Sequence, residues 1–182
     1  MVKPAKVVWT YDDLRNMPED GNRYEVIDGE LLGTPSPGTR HQSAQKNLTV
    51  LLVEQVERRG RGIVFPAPTD LIINQTRCVV PDVMVVAQAR TNFITEAGVE
   101  CAPDLVVEIV SPSSARNDRE IKRKLYASIG VREYWIADPA RKVIDVLALG
   151  ESDYHEHGVF GPGQVLRSTA FELAIAIDDV FA

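Results

Sequence analysis

The sequence predicts a mixed α/β protein, read as one domain over residues 1–182. Two apolar runs, residues 79–86 and 105–110, are rich in valine and too short for buried helices, so they read as strands covered on both faces. Two other segments, 39–59 and about 117–128, carry apolar residues at helical spacing and meet glycine just beyond their ends. No internal repeat, low-complexity tract or linker divides the chain, and a length of 182 residues fits the usual span of one domain.

Taken in order, Thr10 with Asp13 three residues later has the form of a capping box, opening a short helix that Pro18 ends. Residues 23–32 read as a hairpin turned at Asp28-Gly29, a pair that accepts the positive φ angles of a two-residue turn. Residues 34–38, rich in proline, form a loop. Ala44, Leu48, Leu51, Leu52 and Val56 share one face of a long helix that Gly60 closes. Strands follow at about 70–73, 82–86 and 105–110. Asn117 and Glu120 suggest a second capping box, for a helix whose core stripe is Ile121, Leu125 and Ile129. Lys122 and Tyr126 then lie in the row beside that stripe. Strands at 133–137 and 143–149 and a tail of short strands ending in an acidic turn complete the chain.

Composition narrows the class. Hydrophobic residues make 45% and charged residues 25%, ordinary globular values. No window approaches the roughly 18 apolar residues of a membrane span, and residues 1–10 lack the apolar core of a signal peptide. Cys78 and Cys101 form neither a disulfide framework nor a metal-spacing motif, so a cytoplasmic protein with free thiols is expected, with no membrane association and no organic cofactor. The net charge of −6 opposes simple non-specific nucleic-acid binding. Its distribution is uneven: residues 111–132 hold six bases against two acids, and residues 9–30 hold seven acids against two bases.

Chemistry concentrates in the apolar strands. Glu108 is the only charge in Leu105-Val106-Val107-Glu108-Ile109-Val110, and a lone buried carboxylate costs several kcal/mol unless it is paired. Asp82 stands in the same relation to its valines. If the two strands pair, both carboxylates reach one sheet edge, where hard oxygen ligands suit Mg²⁺ or Mn²⁺. A metal there would polarise a phosphodiester and activate water, and Lys122 would orient or help deprotonate that water. Each residue alone has a plainer reading. Pro81-Asp82 is also how a turn opens a strand, Glu108 would suit an interior ion pair, and Lys122-Arg123-Lys124 would suit a solvated face. The three together, in this order, favour a metal site. His41 reads equally as a site residue or as a polar first-turn residue. His155 and His157 read as an exposed strand edge. Ser111, Ser113 and Ser114 lack the Gly-x-Ser-x-Gly elbow of a serine hydrolase.

Several blocks then carry a resemblance: Tyr24-Glu25-Val26-Ile27-Asp28-Gly29-Glu30-Leu31, His41, Pro81-Asp82, residues 102–113, Asp118…Lys122…Tyr126, and Gly130-Val131-Arg132-Glu133-Tyr134-Trp135. In this order, across residues 9–181, they resemble the Uma-two family of restriction-endonuclease-like proteins, placed in the PD-(D/E)xK nuclease superfamily. The resemblance implies a restriction-endonuclease-like mixed central sheet flanked by helices, with a metal at one sheet edge. It implies an Mg²⁺- or Mn²⁺-dependent endonuclease acting on DNA, with Asp82 and Glu108 as metal ligands and the Ile109 carbonyl as a further one. The superfamily's strand lysine would fall at Val110, so this chain departs from the pattern, and the family pattern implies that Lys122 replaces it. Glu25 matches the acid often supplied from the N-terminal region. Cutting both strands of a duplex suggests a homodimer, because a two-fold pair presents two sites to a two-fold substrate. The reading from another class is a non-catalytic nucleic-acid-binding or interaction module that keeps the nuclease fold, which the acidic net charge favours.

Overall fold

The computed structural model describes residues 7–18, 20–111, 114 and 116–182. Its frame is a six-stranded sheet. The strands are β3 (Gly62–Pro66), β6 (Val83–Ala87), β7 (Leu105–Ile109), β8 (Glu133–Asp138), β9 (Val143–Leu149) and β10 (Tyr154–Phe160), in the spatial order β10-β9-β8-β7-β6-β3. Only β7 and β8 run parallel, and the crossover between them carries a helix, as a parallel pair requires. The sheet is therefore mixed, with helices against it, as expected. A second sheet, in the order β2-β1-β5-β4, holds β1 (Asn22–Ile27), β2 (Glu30–Pro35), β4 (Leu71–Asn74) and β5 (Arg77–Val79). β11 (Val165–Arg167) and β12 (Ala174–Ala176) form a small ladder of their own.

Period-two alternation along β7 divides the core. Leu105, Val107 and Ile109 face α2 (Thr39–Leu52) and the C-terminal segment, meeting Leu48, Leu52, Ile175 and Val180. Val106 and Val110 face the other way, toward Leu71, Val79, Leu125, Tyr126 and Tyr134. Glu108 shares that second face. It points toward α3, which begins as a π-helical turn (Asn117–Lys122) and continues as α-helix (Arg123–Ile129).

Local chemistry bears out several expectations. Thr10 and Asp13 make the reciprocal capping box of α1 (Tyr11–Leu14). Asp28 and Gly29 turn the β1–β2 hairpin with φ of 53° and 77°, the positive pair of a type I′ turn. The long helix forms on its predicted face, although its last turn, Val53–Glu57, is π-helical. The acidic end of the tail is the short helix α4 (Ile177–Val180).

Other expectations are corrected. Residues 79–86 are not one strand: β5 ends at Val79 in the small sheet, the chain bends through Pro81 and Asp82, and β6 starts at Val83 in the large one. Pro81 thus avoids the ladder, where its missing N–H would leave a gap. β2 extends to Pro35, into the stretch read as a loop. The stripe of α3 is also rotated. Ile121 is 38% exposed, whereas Asp118, Lys122, Leu125 and Tyr126 are buried, so Lys122 lies within the buried stripe and not beside it. No side-chain cap opens the helix at Asn117, because the preceding residue, Arg116, is already helical.

Candidate active site

A cavity of about 140 Å³ opens beside the C-terminal end of β7, lined by Glu25, Asp82, Glu108, Asp118, Lys122 and Arg23, among others. Strand pairing explains why the two strand acids meet. β6 and β7 are antiparallel with Val83 opposite Val107 and Met84 opposite Val106. Continuing that register by one residue sets Asp82 opposite Glu108, and residues facing each other in an antiparallel pair share a side.

Asp82 sits among donors. Its Oδ2 accepts the Ile109 N–H at 2.8 Å and lies 3.0 Å from His41 Nε2, and its Oδ1 accepts Arg23 Nη1 at 3.2 Å. Gln45, one helical turn after His41, donates Nε2 to the Asp82 backbone carbonyl at 2.9 Å. Burial alone would raise this carboxyl, but the bond and charge of His41, the Ile109 N–H and the Arg23 guanidinium outweigh it and hold Asp82 below the usual carboxylate range. Nδ1 of His41 is buried without a hydrogen-bond partner.

Glu108 is the opposite case. Its Oε1 accepts Lys122 Nζ at 3.0 Å and the Tyr126 hydroxyl at 2.5 Å, which leaves Oε2 for the cavity. Burial raises the Glu108 carboxyl well above its ordinary value; Lys122 opposes this, while Asp82, Asp118 and Glu25 add to it. Asp118 is pushed up to about 6, mainly by burial, with Lys122 and Ser114 resisting. Lys122 also reaches Glu25 Oε1 at 2.8 Å, the same oxygen that accepts the Val80 N–H. Burial would lower Lys122, but Glu108, Glu25 and Asp118 overcome it and raise it. In this arrangement Lys122 is held as a cation between Glu25 and Glu108.

Among the described residues, no three His, Cys, Asp or Glu side chains converge as a ready metal-ligand set. The donor chemistry nevertheless fits a divalent ion. Four carboxylates line the cavity (Glu25, Asp82, Glu108, Asp118) against two permanent cations (Arg23, Lys122), a formal excess of two negative charges before His41 is counted. Mg²⁺ needs only one or two carboxylates when water and phosphate complete its shell.

Comparison with known proteins adds the family. A model of the Uma2 family, described as "Putative restriction endonuclease", matches residues 11–178. The chain belongs to the Uma2 family. No curated protein matches it. Among solved structures, this Uma2 chain is similar to a protein from Anabaena variabilis ATCC 29413 described as "a putative nuclease belonging to DUF820", with a TM-score of 0.77 and 21% identity, over 94% of this chain and 97% of that one. At that identity the likeness establishes the shared fold.

Of the residues singled out from sequence, Glu25, Asp82, Glu108, Ile109 and Lys122 of this Uma2 chain all border the one cavity, and His41 joins them. His155 and His157 lie exposed on β10, at the edge of the large sheet. Sequence reasoning gave no role to Arg23, Gln45 or Tyr126. The spacing of four in His41/Gln45 and in Asp118/Lys122/Tyr126 was the available signal, since residues four apart share a helix face. Among the described residues, no helix is long and apolar enough to cross a membrane.

Proposed function

We propose that this protein is a divalent-metal-dependent endodeoxyribonuclease that hydrolyses DNA phosphodiester bonds with Mg²⁺ or Mn²⁺. The observation that carries this reading is the register of β6 and β7, which brings Asp82 and Glu108 to one side of one cavity holding two more negative than positive groups. Asp82, Glu108 through Oε2, and the Ile109 carbonyl would hold the metal. The Ile109 N–H is directed at Asp82, and a strand residue's carbonyl leaves on the same side as its N–H. When bound, the divalent ion supplies Lewis acidity toward the phosphate and a lowered water pKa. The chain's own groups do the rest. Lys122, anchored by Glu25 and Glu108, orients the attacking water and offsets charge developing on the phosphate. Tyr126 shares Oε1 of Glu108 with Lys122 and so turns Oε2 toward the ligand side. His41 and Arg23 hold the Asp82 carboxylate ionised and oriented. The protein acts in the cytoplasm as a homodimer, whose two sites address the two strands of a duplex.

The test is cleavage of supercoiled plasmid with Mg²⁺ or Mn²⁺, wild type beside Asp82→Ala. Nicked or linear product from wild type alone supports the reading; equal product from both proteins, or none from wild type, overturns it. One observation favours the other reading, a non-catalytic nucleic-acid-binding or interaction module. Asp82 and Glu108 already engage protein partners through His41, Arg23, Lys122 and Tyr126. Nucleic-acid binding by wild type without cleavage would select it.

A further inference from the structure

A divalent ion would only cancel the two-charge excess of the acid cavity, and the chain carries a net charge of −6, so most of the affinity for an extended phosphate backbone has to come from elsewhere on the surface. A second depression, of about 400 Å³, lies across the first turn of α2 from the acid cavity: Gly38 and His41 border the acid cavity, while Thr39, Arg40 and Ser43 border the second. Its opposite wall is the turn from β8 to β9, which contributes Pro139 and Lys142. β7 and β8 are parallel, so that turn and the acid cavity stand at the same end of the sheet.

Arg40 and Lys142 line this depression and Arg141 precedes Lys142 on the same turn; all three are exposed, and none has an ion-pair partner among the described residues. Most other arginines do, as Arg61 with Glu172 and Arg77 with Asp28. Two acids on the adjoining elements are held by backbone donors: Asp138 Oδ1 accepts the N–H groups of Ala140 and Arg141, and Asp178 Oδ2 accepts that of Gly163. α2 starts at Gly38 with no side-chain cap, so its first-turn N–H groups add partial positive charge between the two cavities.

We infer that Arg40, Arg141 and Lys142 form a phosphate-contact site for a DNA strand that leaves the acid cavity across the first turn of α2. This rests on the nuclease reading above and assigns the affinity that the acid cavity lacks. A helix is about 10–12 Å wide with its side chains, so the contacted phosphates lie roughly three nucleotides of 3.4 Å rise from the scissile one. The cations fix register and affinity and carry no base specificity.

The experiment compares two charge-matched triple variants of the full chain, after checking that their unfolding midpoints equal wild type. One is Arg40→Gln/Arg141→Gln/Lys142→Gln; the control is Arg15→Gln/Arg59→Gln/Arg167→Gln, three exposed cations elsewhere that also lack an ion-pair partner among the described residues. Binding of a short fluorescein-labelled duplex is measured by anisotropy against salt, and plasmid cleavage is measured alongside. The first triple should lower the log–log salt slope by about 2.7, at about 0.9 per lost phosphate contact, and weaken binding roughly a hundredfold at about 0.15 M salt. The control should stay close to wild type. If wild type cleaves and both triples weaken equally, net charge alone is at work and the site is refuted. If wild type cleaves and the first triple binds unchanged, the site is likewise refuted while the nuclease reading stands. A wild type that neither binds nor cleaves overturns both.

Discussion

Lys122 is the residue whose removal tests the architecture of the site most directly. Its ammonium lies 2.8 Å from Glu25 and 3.0 Å from Glu108, and all three side chains are at most 7% exposed. Removing one partner of a buried ion pair costs about 3–5 kcal/mol, because the charge left behind is neither solvated nor compensated. Against a total stability of about 5–15 kcal/mol that is a large share, and for a chain of this size it predicts a drop of roughly 6–20 °C in Tm. Lys122→Met keeps most of the side-chain volume and isolates the charge. The penalty depends on pH. Without the ammonium, the folded-state pKa of Glu108 rises further, so the penalty is small below the already raised wild-type folded value and grows as pH rises through it, where the wild-type carboxyl ionises and the variant's stays protonated. Urea titrations followed by tryptophan fluorescence, with Trp135 in the core, at pH 5 and pH 8 measure this. Adding Glu108→Gln to Lys122→Met should recover part of the loss at pH 8, as contacting residues couple. A Lys122→Met protein within about 0.5 kcal/mol of wild type at pH 8, or equally destabilised at both pH values, would refute the reasoning.

Asp118 is raised to about 6 in the fold, so the native state holds its proton while the unfolded state loses it; wild-type stability should fall as pH rises from about 4 to about 6, and Asp118→Asn should flatten that slope in urea titrations. Millimolar Mn²⁺ should raise the unfolding midpoint more at pH 8 than at pH 5.5, because protons on Glu108 and Asp118 compete with the metal, and a pH-independent shift seen by calorimetry would argue against these ligands. Tyr126→Phe removes a charge-assisted bond to Glu108 without opening a cavity, so denaturant titration should show a loss of about 1.5–3 kcal/mol.

Much of the frame was legible because its signals are local. Valine-rich runs declared β6 and β7, Asp28-Gly29 declared the hairpin, and the spacing of Ala44, Leu48, Leu52 and Val56 declared α2. β3 and β5 were not visible. The first is a five-residue run ending at Pro66, and the second merges in sequence with the valines before Pro81. Asp82 and Glu108 stood out as charges in apolar surroundings, which is a one-dimensional signal. Arg23 and Gln45 did not, and His41 stood only as an even candidate, since the Asp82 they serve lies about 40–60 residues away and only the fold supplies it. The burial of Lys122 was hidden by its basic neighbours Arg123 and Lys124. A π-helical turn, not the ideal period, sets the rotation of that helix, and the acids it must meet lie on other elements.

The lysine bridge between Glu25 and Glu108 has a consequence in time. It joins β1 of the small sheet to β7 of the large one through a helix that follows both, so its partners lie 97 and 14 positions away. Contacts of long sequence separation are late to repay their loop-closure entropy, and buried charges gain nothing until water is expelled around them. The bridge should therefore be absent from the folding transition state. Lys122→Met should leave the refolding rate almost unchanged and accelerate unfolding, a φ-value near zero by stopped-flow kinetics. A chain that is only partly folded then has no assembled acid cluster, so the candidate site comes into being only once the two sheets have docked.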